Sequence, residues 1–397
     1  MRNKNIVIIF FMLVVYAYVV NIINIPENYI VTEIDEYDFF CMPGIEKEVV
    51  IETSNNTDES LNDDNNISYK YEYSIFGFKD IKETIIKKID DIKLVPIGKL
   101  IGLKLYTNGV LVVGTANIEN VNNKIITQEN IIEGDTILKI ENNYIDSVED
   151  IKKIVNCSNG HDLECTILRD GVNINSVISP IQTGENEYKL GLWVKDAATG
   201  VGTISFVNKE NNSFVALGHG ISDSDTGRMI NIDSGEILIS DIVSITKGES
   251  GVPGEIKGSI INKEKIGIIK KNTSFGIIGE ITSLSGLNSN LNQEYEILSR
   301  NKIKEGKAVI LCELDDGVKT YDVNIKKIFL DNNYDNKSMI IEITDEELLE
   351  KTGGIIRGMS GSPILQNGKI AGIVTNVLIS DPKIGYGVFM DLVLNEM

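Results

Sequence analysis

The alternation of apolar and polar positions divides the chain before any single residue is weighed. Ile6 to Val20 is an unbroken apolar run that continues past Asn21 and Asn24 to Ile25 and closes at Pro26. Counted to Ile25, it reaches the ~20 residues needed to span a bilayer, whereas its cleanest part has the length of a signal-sequence core. No small-x-small cleavage pattern follows, so residues 1–25 are expected to be an uncleaved anchor. Arg2 and Lys4 would hold its N-terminus in the cytoplasm, with everything after Pro26 outside. Residues 26–90 form a variable N-terminal region. Partial alternation over Tyr29–Ile34 and Glu48–Ile51 predicts strands, and Thr53 to Ser68, rich in Asn, Asp and Ser, reads as a linker that cannot bury enough to stay ordered.

From residue 91 to 182 the pattern is that of a small compact domain. It predicts a strand from Val110 to Thr115, another within Ile132–Ile140, a helix over Ser147–Asn156 capped by Asp146 or Ser147, and two strands around the turn Asp170-Gly171. Residues 186–397 are strand-rich with many glycines, so the chain as a whole is expected to be mainly β. Trp193 reads as a packed core or interface residue, and Lys247 to Gly254 as a surface loop, with a place beside a cleft as the alternative.

The formal charge of −20 argues against nucleic acid and against a basic contact with anionic lipid. Cys41, Cys157, Cys165 and Cys312 include no CxxC pair and no cluster with histidine, which argues against a metal site. Cys157 and Cys165 share one small domain, yet separate thiols are favoured over a bridge.

Candidate chemistry centres on Gly354-Ile-Ile-Arg-Gly-Met-Ser-Gly-Ser-Pro-Ile364, where Ser360 sits between glycines ahead of an apolar strand. A serine hydroxyl attacks an acyl carbon when a base takes its proton and two donors receive the oxyanion. Gly358 permits a turn in which its N–H and that of Ser360 point the same way, a candidate oxyanion hole. The base must be His161 or His219, the two histidines of the chain. His161 follows Asn159-Gly160 at the start of a strand and reads as an exposed turn residue. His219, between Gly218 and Gly220 at the end of an apolar strand, is placed to project into a cleft and is the candidate base. The residues leave the orienting carboxylate open among Asp345, Asp223 and Asp225, and Thr344 or Asp345 equally suits the N-cap of a helix over 346–351.

The run from Ile343 to Val388, together with Val201-Gly-Thr-Ile-Ser-Phe206 and Ala216-Leu-Gly-His-Gly-Ile-Ser-Asp223, resembles the stage IV sporulation protein B peptidases. The upstream unit, 91–182, looks like a PDZ domain. The resemblance covers roughly residues 90 to 397 and implies a β-rich, distantly chymotrypsin-like serine peptidase domain over 186–397 that needs no cofactor. It places nucleophile, base and orienting carboxylate on Ser360, His219 and Asp345. The 15 residues between Asp345 and Ser360 are far fewer than in chymotrypsin-like enzymes, which speaks against a simple two-barrel superposition. A PDZ reading puts Leu100, Ile101 and Gly102 in the loop that receives a peptide carboxylate. The resemblance to the peptidase family further implies cleavage of a membrane-associated partner, a regulator of an intramembrane protease, and of the chain itself, in the space between forespore and mother-cell membranes. In the rival reading the chain is a PDZ-based adaptor that signals by binding, with an inactive peptidase domain.

Overall fold

The computed structural model describes residues 2–23, 25, 28–31, 42–52, 68–88, 92–287, 291, 293–315, 317–330 and 336–397. Apart from Ser68, the linker expected at 53–68 lies outside the described residues. Helix α1 (Arg2–Ile23) contains one span, Ile6–Ile23, that is long and apolar enough to cross a membrane, with mean hydropathy 2.8. Strands β1 (Asn28–Val31), β2 (Ile45–Glu52), β3 (Ser68–Ile75) and β4 (Phe78–Lys88) form a separate sheet in the order β1-β4-β3-β2. Ile25, Tyr71, Tyr73 and Ile86 are its core.

Strand β5 (Lys93–Thr115) is the pivot of the molecule. After it come β6 (Ile118–Glu119), β7 (Ile125–Ile126), β8 (Thr136–Ile140), β9 (Asn143–Tyr144), α2 (Val148–Cys157), β10 (Leu163–Arg169), β11 (Val172–Ile178), β12 (Ile181–Gly184) and β13 (Glu187–Lys189). Ser147 and Asp150 form the capping box that starts α2, and the Ser147 hydroxyl helps hold the Asp150 carboxyl below its ordinary range. The chain then continues through β14 (Leu192–Val207), β15 (Ser213–Ala216), β16 (Ile232–Thr246), β17 (Glu255–Thr273), β18 (Gly276–Ile281) and β19 (Tyr295–Glu296).

The first half of β5 pairs with the second half of β14 on one side and with β16 on the other. This closes a six-stranded barrel, β5-β14-β15-β18-β17-β16. The second half of β5 runs on beside the first half of β14 and pairs with β8 through Val110 and Leu111. The unit expected at 91–182 is therefore an insertion between two strands of the first barrel. β5 and β14 each serve both parts, the barrel with one half and the inserted unit with the other.

This arrangement corrects the reading of Leu100, Ile101 and Gly102. They lie in the middle of β5, where Leu100 pairs with Thr203, Ile101 with Gly202 and Ile239, and Gly102 with Val201 and Leu238. Leu100 and Ile101 are 1% and 0% exposed, and a Cβ on Gly102 would lie 2.6 Å from Ile260. Ile101 and Gly102 are committed to two neighbouring strands, and the Leu100 N–H is already taken by the Glu313 carboxylate at 2.9 Å, so this stretch cannot receive a peptide terminus. Trp193 is 67% exposed at the edge of the inserted module, so of its two readings the packed core residue is excluded. Cys157 and Cys165 are free thiols, and burial pushes Cys165 up to about 11.

The second barrel comprises β20 (Gly306–Leu314), β21 (Gly317–Ile328), β22 (Met339–Ile343), β23 (Pro363–Gln366), β24 (Lys369–Val377) and β25 (Ile384–Phe389). It closes in the order β20-β21-β22-β25-β24-β23, with α3 (Glu346–Thr352) before β23 and α4 (Met390–Leu394) after β25. Inward residues fill it, among them Ile310, Tyr321, Ile341 and Phe389 of its strands and Met359 of the turn before β23. The chain thus has two six-stranded barrels.

Candidate active site

Ser360 lies in the turn between α3 and β23, and the first barrel shapes that turn. Gly358 and Gly361 have φ of 100° and 97°, values that L side chains rarely adopt. A Cβ on Gly361 would lie 2.2 Å from the Thr203 carbonyl oxygen and 2.6 Å from the Leu217 nitrogen, so only glycine lets the turn press onto β14 and the end of β15. The Thr203 hydroxyl donates to the Gly358 carbonyl at 2.6 Å, and the Thr203 N–H donates to the Ser360 carbonyl at 3.3 Å.

In a trans peptide the N–H points away from the carbonyl of the preceding residue, so anchoring that carbonyl aims the N–H. The Arg357 carbonyl accepts from Ile256 N–H at 2.8 Å. The Met359 carbonyl accepts from the N–H of Ser362 at 3.0 Å and from its hydroxyl at 2.7 Å. The N–H groups of Gly358 and Ser360 are thereby turned the other way, and neither has an acceptor among the described residues. Two free, fixed donors beside a serine hydroxyl are what an oxyanion requires.

His219 follows β15 through Leu217 and Gly218, both in the left-handed region at φ 76° and 71°. Such a φ strains a buried leucine, and strain of this kind concentrates at functional sites. Gly202 makes room for it, since a Cβ there would lie 1.9 Å from Leu217 Cδ2. Gly218 lies against β24, where a Cβ would be 2.8 Å from the Val374 carbonyl oxygen. The next residue of β24, Thr375, accepts a hydrogen bond from Ser360 Oγ at 2.6 Å through its carbonyl.

The half-buried imidazole meets the Gly220 carbonyl through Nδ1 at 3.0 Å. A carbonyl has no proton to give, so that bond puts the proton on Nδ1 and leaves Nε2 free to accept one. Ser360 and His219 line one cleft of about 480 Å³ between the barrels, together with Leu103, Leu217, Ile355, Ile356 and Thr375. Arg357 is the one permanently charged side chain on that lining, among the described residues. Asn376 also lines it, as does Pro253 of the 247–254 loop. That loop is part of the site: its Gly254 carbonyl accepts from Arg357 N–H at 3.0 Å and Gly248 N–H donates to Thr352 at 2.8 Å.

The other predicted groups are elsewhere. His161 is exposed in the inserted module. Asp345 is the N-cap of α3, with Oδ1 accepting from Leu348 N–H at 3.0 Å and Oδ2 from Asp322 N–H at 3.3 Å, and it is not among the residues lining the cleft. Asp223 is buried and ion-paired with Lys195 at 3.1 Å. Burial alone would raise its carboxyl, but the Thr226 N–H, the Lys195 ammonium and the Asp225 N–H outweigh this and hold it low. Asp223 and Asp225 therefore fasten the segment after His219 to β14.

The cap geometry sets an expectation for Asp345. Asparagine caps as well as aspartate, so Asp345→Asn should keep turnover within a few-fold of wild type, while Asp345→Ala should cost about 1 kcal/mol of stability. A loss near 10⁴-fold in Asp345→Asn, with an unchanged thermal transition, would show instead that its charge orients the imidazole.

Residues 186–394, slightly more than half of the chain, match the SpoIVB peptidase S55 family. The chain belongs to this family. Both Ser360 and His219 fall inside the matched region, which starts at β13 and so leaves out β5, the strand that closes the first barrel. A solved structure, the active form of the Rv3671c protease from M. tuberculosis, is 14% identical and covers 50% of this chain and 72% of that one. Its TM-score is 0.30, too loose a likeness to assign a role to any residue. No curated protein matches the chain. As a member of the SpoIVB peptidase family, the chain is a serine peptidase.

Thr203, Leu217 and Ile256 shape the nucleophile turn without having stood out in the sequence. Val201-Gly-Thr203 carried part of the resemblance, but nothing in it said that a threonine hydroxyl would cross to the other barrel.

Proposed function

We propose that the chain is a membrane-anchored serine endopeptidase in which Ser360 attacks the scissile carbonyl and His219 carries the proton. The observation that supports this most is the convergence of Ser360, His219 and two acceptor-free N–H groups on one cleft. As substrate enters, Ser360 Oγ leaves the Thr375 carbonyl and gives its proton to Nε2 of His219. The oxyanion forms against the N–H groups of Gly358 and Ser360, and the imidazolium returns its proton to the leaving amine. The Gly220 carbonyl keeps the ring in the tautomer this needs. Water then hydrolyses the acyl-enzyme by the same route reversed.

The cleft suits an extended segment with apolar side chains, given the leucines and isoleucines on its lining. With α1 as anchor, the substrate is a membrane-associated protein, and the family points to a regulator of an intramembrane protease acting between forespore and mother-cell membranes during sporulation. The inserted module serves as a PDZ-like holder of peptide. A groove of about 520 Å³ lined by Val148, Ile151 and Val155 of α2 and by Tyr188 and Trp193 is its candidate site, in place of Leu100–Gly102.

The chain is also its own substrate, in the segment joining β2 to β3. A serine-directed fluorophosphonate should label the wild-type protein and not Ser360→Ala. Purified wild type should shorten to fragments beginning between about Ile51 and Asp90, with Ser360→Ala remaining full length. An adaptor with an inactive peptidase domain would take no label, and equal shortening of Ser360→Ala would assign the cutting to another enzyme.

A further inference from the structure

The hairpin joining β3 and β4 carries a side chain that its turn does not want. Ile75 pairs with Phe78, leaving a two-residue turn of Phe76 and Gly77 at φ 48° and 82°. Both central residues of such a turn have positive φ, which favours Asn, Asp or Gly in the first place. Other two-residue hairpins of this chain put a polar residue in that place: Asp170-Gly171, Asn367-Gly368 and Glu141-Asn142 have positive φ at both positions. Phe76 puts a bulky ring there and stays 67% exposed, with Phe78 beside it 73% exposed. Neither turn geometry nor a core accounts for two largely exposed aromatic rings at one tip.

The tip lies against α1. The rings of Phe76 and Tyr18 are 5.6 Å apart, and the Tyr18 hydroxyl donates to the Pro43 carbonyl. Ala17, Tyr18, Val20, Asn21 and Ile22 are partly covered, whereas Ile6 to Tyr16 are bare. Tyr18 stands five residues before Ile23, the end of the apolar span. At ~1.5 Å per residue, that is about 7–8 Å inside the span. A ring packed on Tyr18 shares its depth. This is the level at which aromatic side chains collect in membrane proteins and apolar faces settle in the headgroup–acyl boundary. Lys79, whose side chain is 77% exposed and whose ammonium lies 3.7 Å from the likewise exposed Glu48 carboxylate, follows Phe78 and can reach the headgroups.

We propose that Phe76 and Phe78 insert into the extracytoplasmic leaflet of the membrane that α1 crosses, seating the N-terminal sheet on the bilayer. This rests on the reading of α1 as a membrane-spanning anchor. The contact is apolar and does not depend on anionic lipid, in keeping with the acidic chain. It also sets the sheet's reach: Glu52 and Ser68, which pair at the other end of β2 and β3, are eight residues from the tip, or about 25 Å along the strands. The ends of the connection proposed for self-cleavage are thus held well away from the lipid.

The test uses the full chain carrying Ser360→Ala to prevent cutting, Trp193→Phe to remove its one tryptophan, and Phe78→Trp as the probe. It is reconstituted into phosphatidylcholine vesicles, plain or with acyl chains brominated at a shallow or a deep position. A second version with Phe76→Trp guards against a local effect of either substitution, and far-ultraviolet circular dichroism checks the fold. The protein should float with the vesicles after alkaline extraction. Shallow bromines should at least halve the fluorescence, deep bromines should quench less, and acrylamide should quench weakly. Protein that floats but is quenched by acrylamide and not by bromolipid would place the tip in water and overturn the proposal. Resistance to both quenchers would mean that protein covers the tip, a second copy or another chain, and would overturn it equally. Failure to float would remove the anchor reading, and the proposal with it.

Discussion

Ser360→Ala is expected to lower peptide-bond turnover by about 10⁶-fold while the thermal transition stays within a few degrees of wild type. Ser360 is half-buried in a turn held by backbone bonds from Thr203, Ile256 and Ser362, and one of its own bonds, from Oγ to the Thr375 carbonyl, is all that alanine removes. The loss therefore belongs to chemistry and not to folding. His219→Ala should cost about as much, because nucleophile and base act as one unit, and the double variant should be little worse than either single one. His161→Ala, an exposed change in the inserted module, should leave turnover unchanged. Steady-state kinetics on an unstructured protein substrate, with active-site titration of the wild type, reads all four. Comparable loss from His161→Ala in folded protein, or retention of most activity in His219→Ala, would remove His219 from the role of base.

The sequence disclosed these two residues because their chemistry is local. A serine between glycines and a histidine between glycines can each be recognised within a dozen positions, and the backbone conformations those glycines permit are the ones the structure uses. The α2 cap and the Asp170-Gly171 turn were legible for the same reason. Asp345 marks the limit. From spacing alone it suited a cap or an orienting carboxylate, and the choice depends on where α3 lies relative to the cleft, which no local pattern encodes.

Leu100, Ile101 and Gly102 show the other kind of failure. The PDZ resemblance made this run a loop, yet each of its glycines marks a close approach within a strand: Gly98 lies against the Leu311 backbone of β20, and Gly102 against Ile260. Both contacts come from residues more than a hundred positions away. That β5 and β14 each belong to a barrel and to an inserted module is likewise a matter of long-range pairing, invisible to periodicity. Thr203 was in view as part of a motif, but its partner, the Gly358 carbonyl, is 155 positions away.

The second large effect is expected at Glu313, which joins the barrels. Its carboxylate accepts from Lys99 Nζ at 2.7 Å and from Leu100 N–H at 2.9 Å, linking β20 to the middle of β5. The side chains of Lys99 and Glu313 are 8% and 14% exposed, so water does little to screen or replace the pair. Breaking a buried pair by deleting one member costs about 3–5 kcal/mol, because the remaining charge is left without a partner. Glu313→Ala also takes the acceptor from the Leu100 N–H, a loss of about 1–3 kcal/mol when a buried donor is stranded. Together these consume a large part of the 5–15 kcal/mol typical of a folded domain.

Lys99→Met should cost less than Glu313→Ala, since Glu313 would keep its bond from Leu100. Lys99→Met combined with Glu313→Leu should recover part of the loss of Glu313→Ala, because replacing both charges by apolar groups of similar size removes the uncompensated ion. Chemical denaturation of the four proteins gives the comparison. Activity supplies a second axis: the barrels meet at the Glu313 bridge as well as at the Ser360 turn, so Glu313→Ala protein that remains folded should show a raised KM as the cleft loosens. Equal stability of Glu313→Ala and wild type would mean that the pair is solvated and that other contacts hold the barrels together.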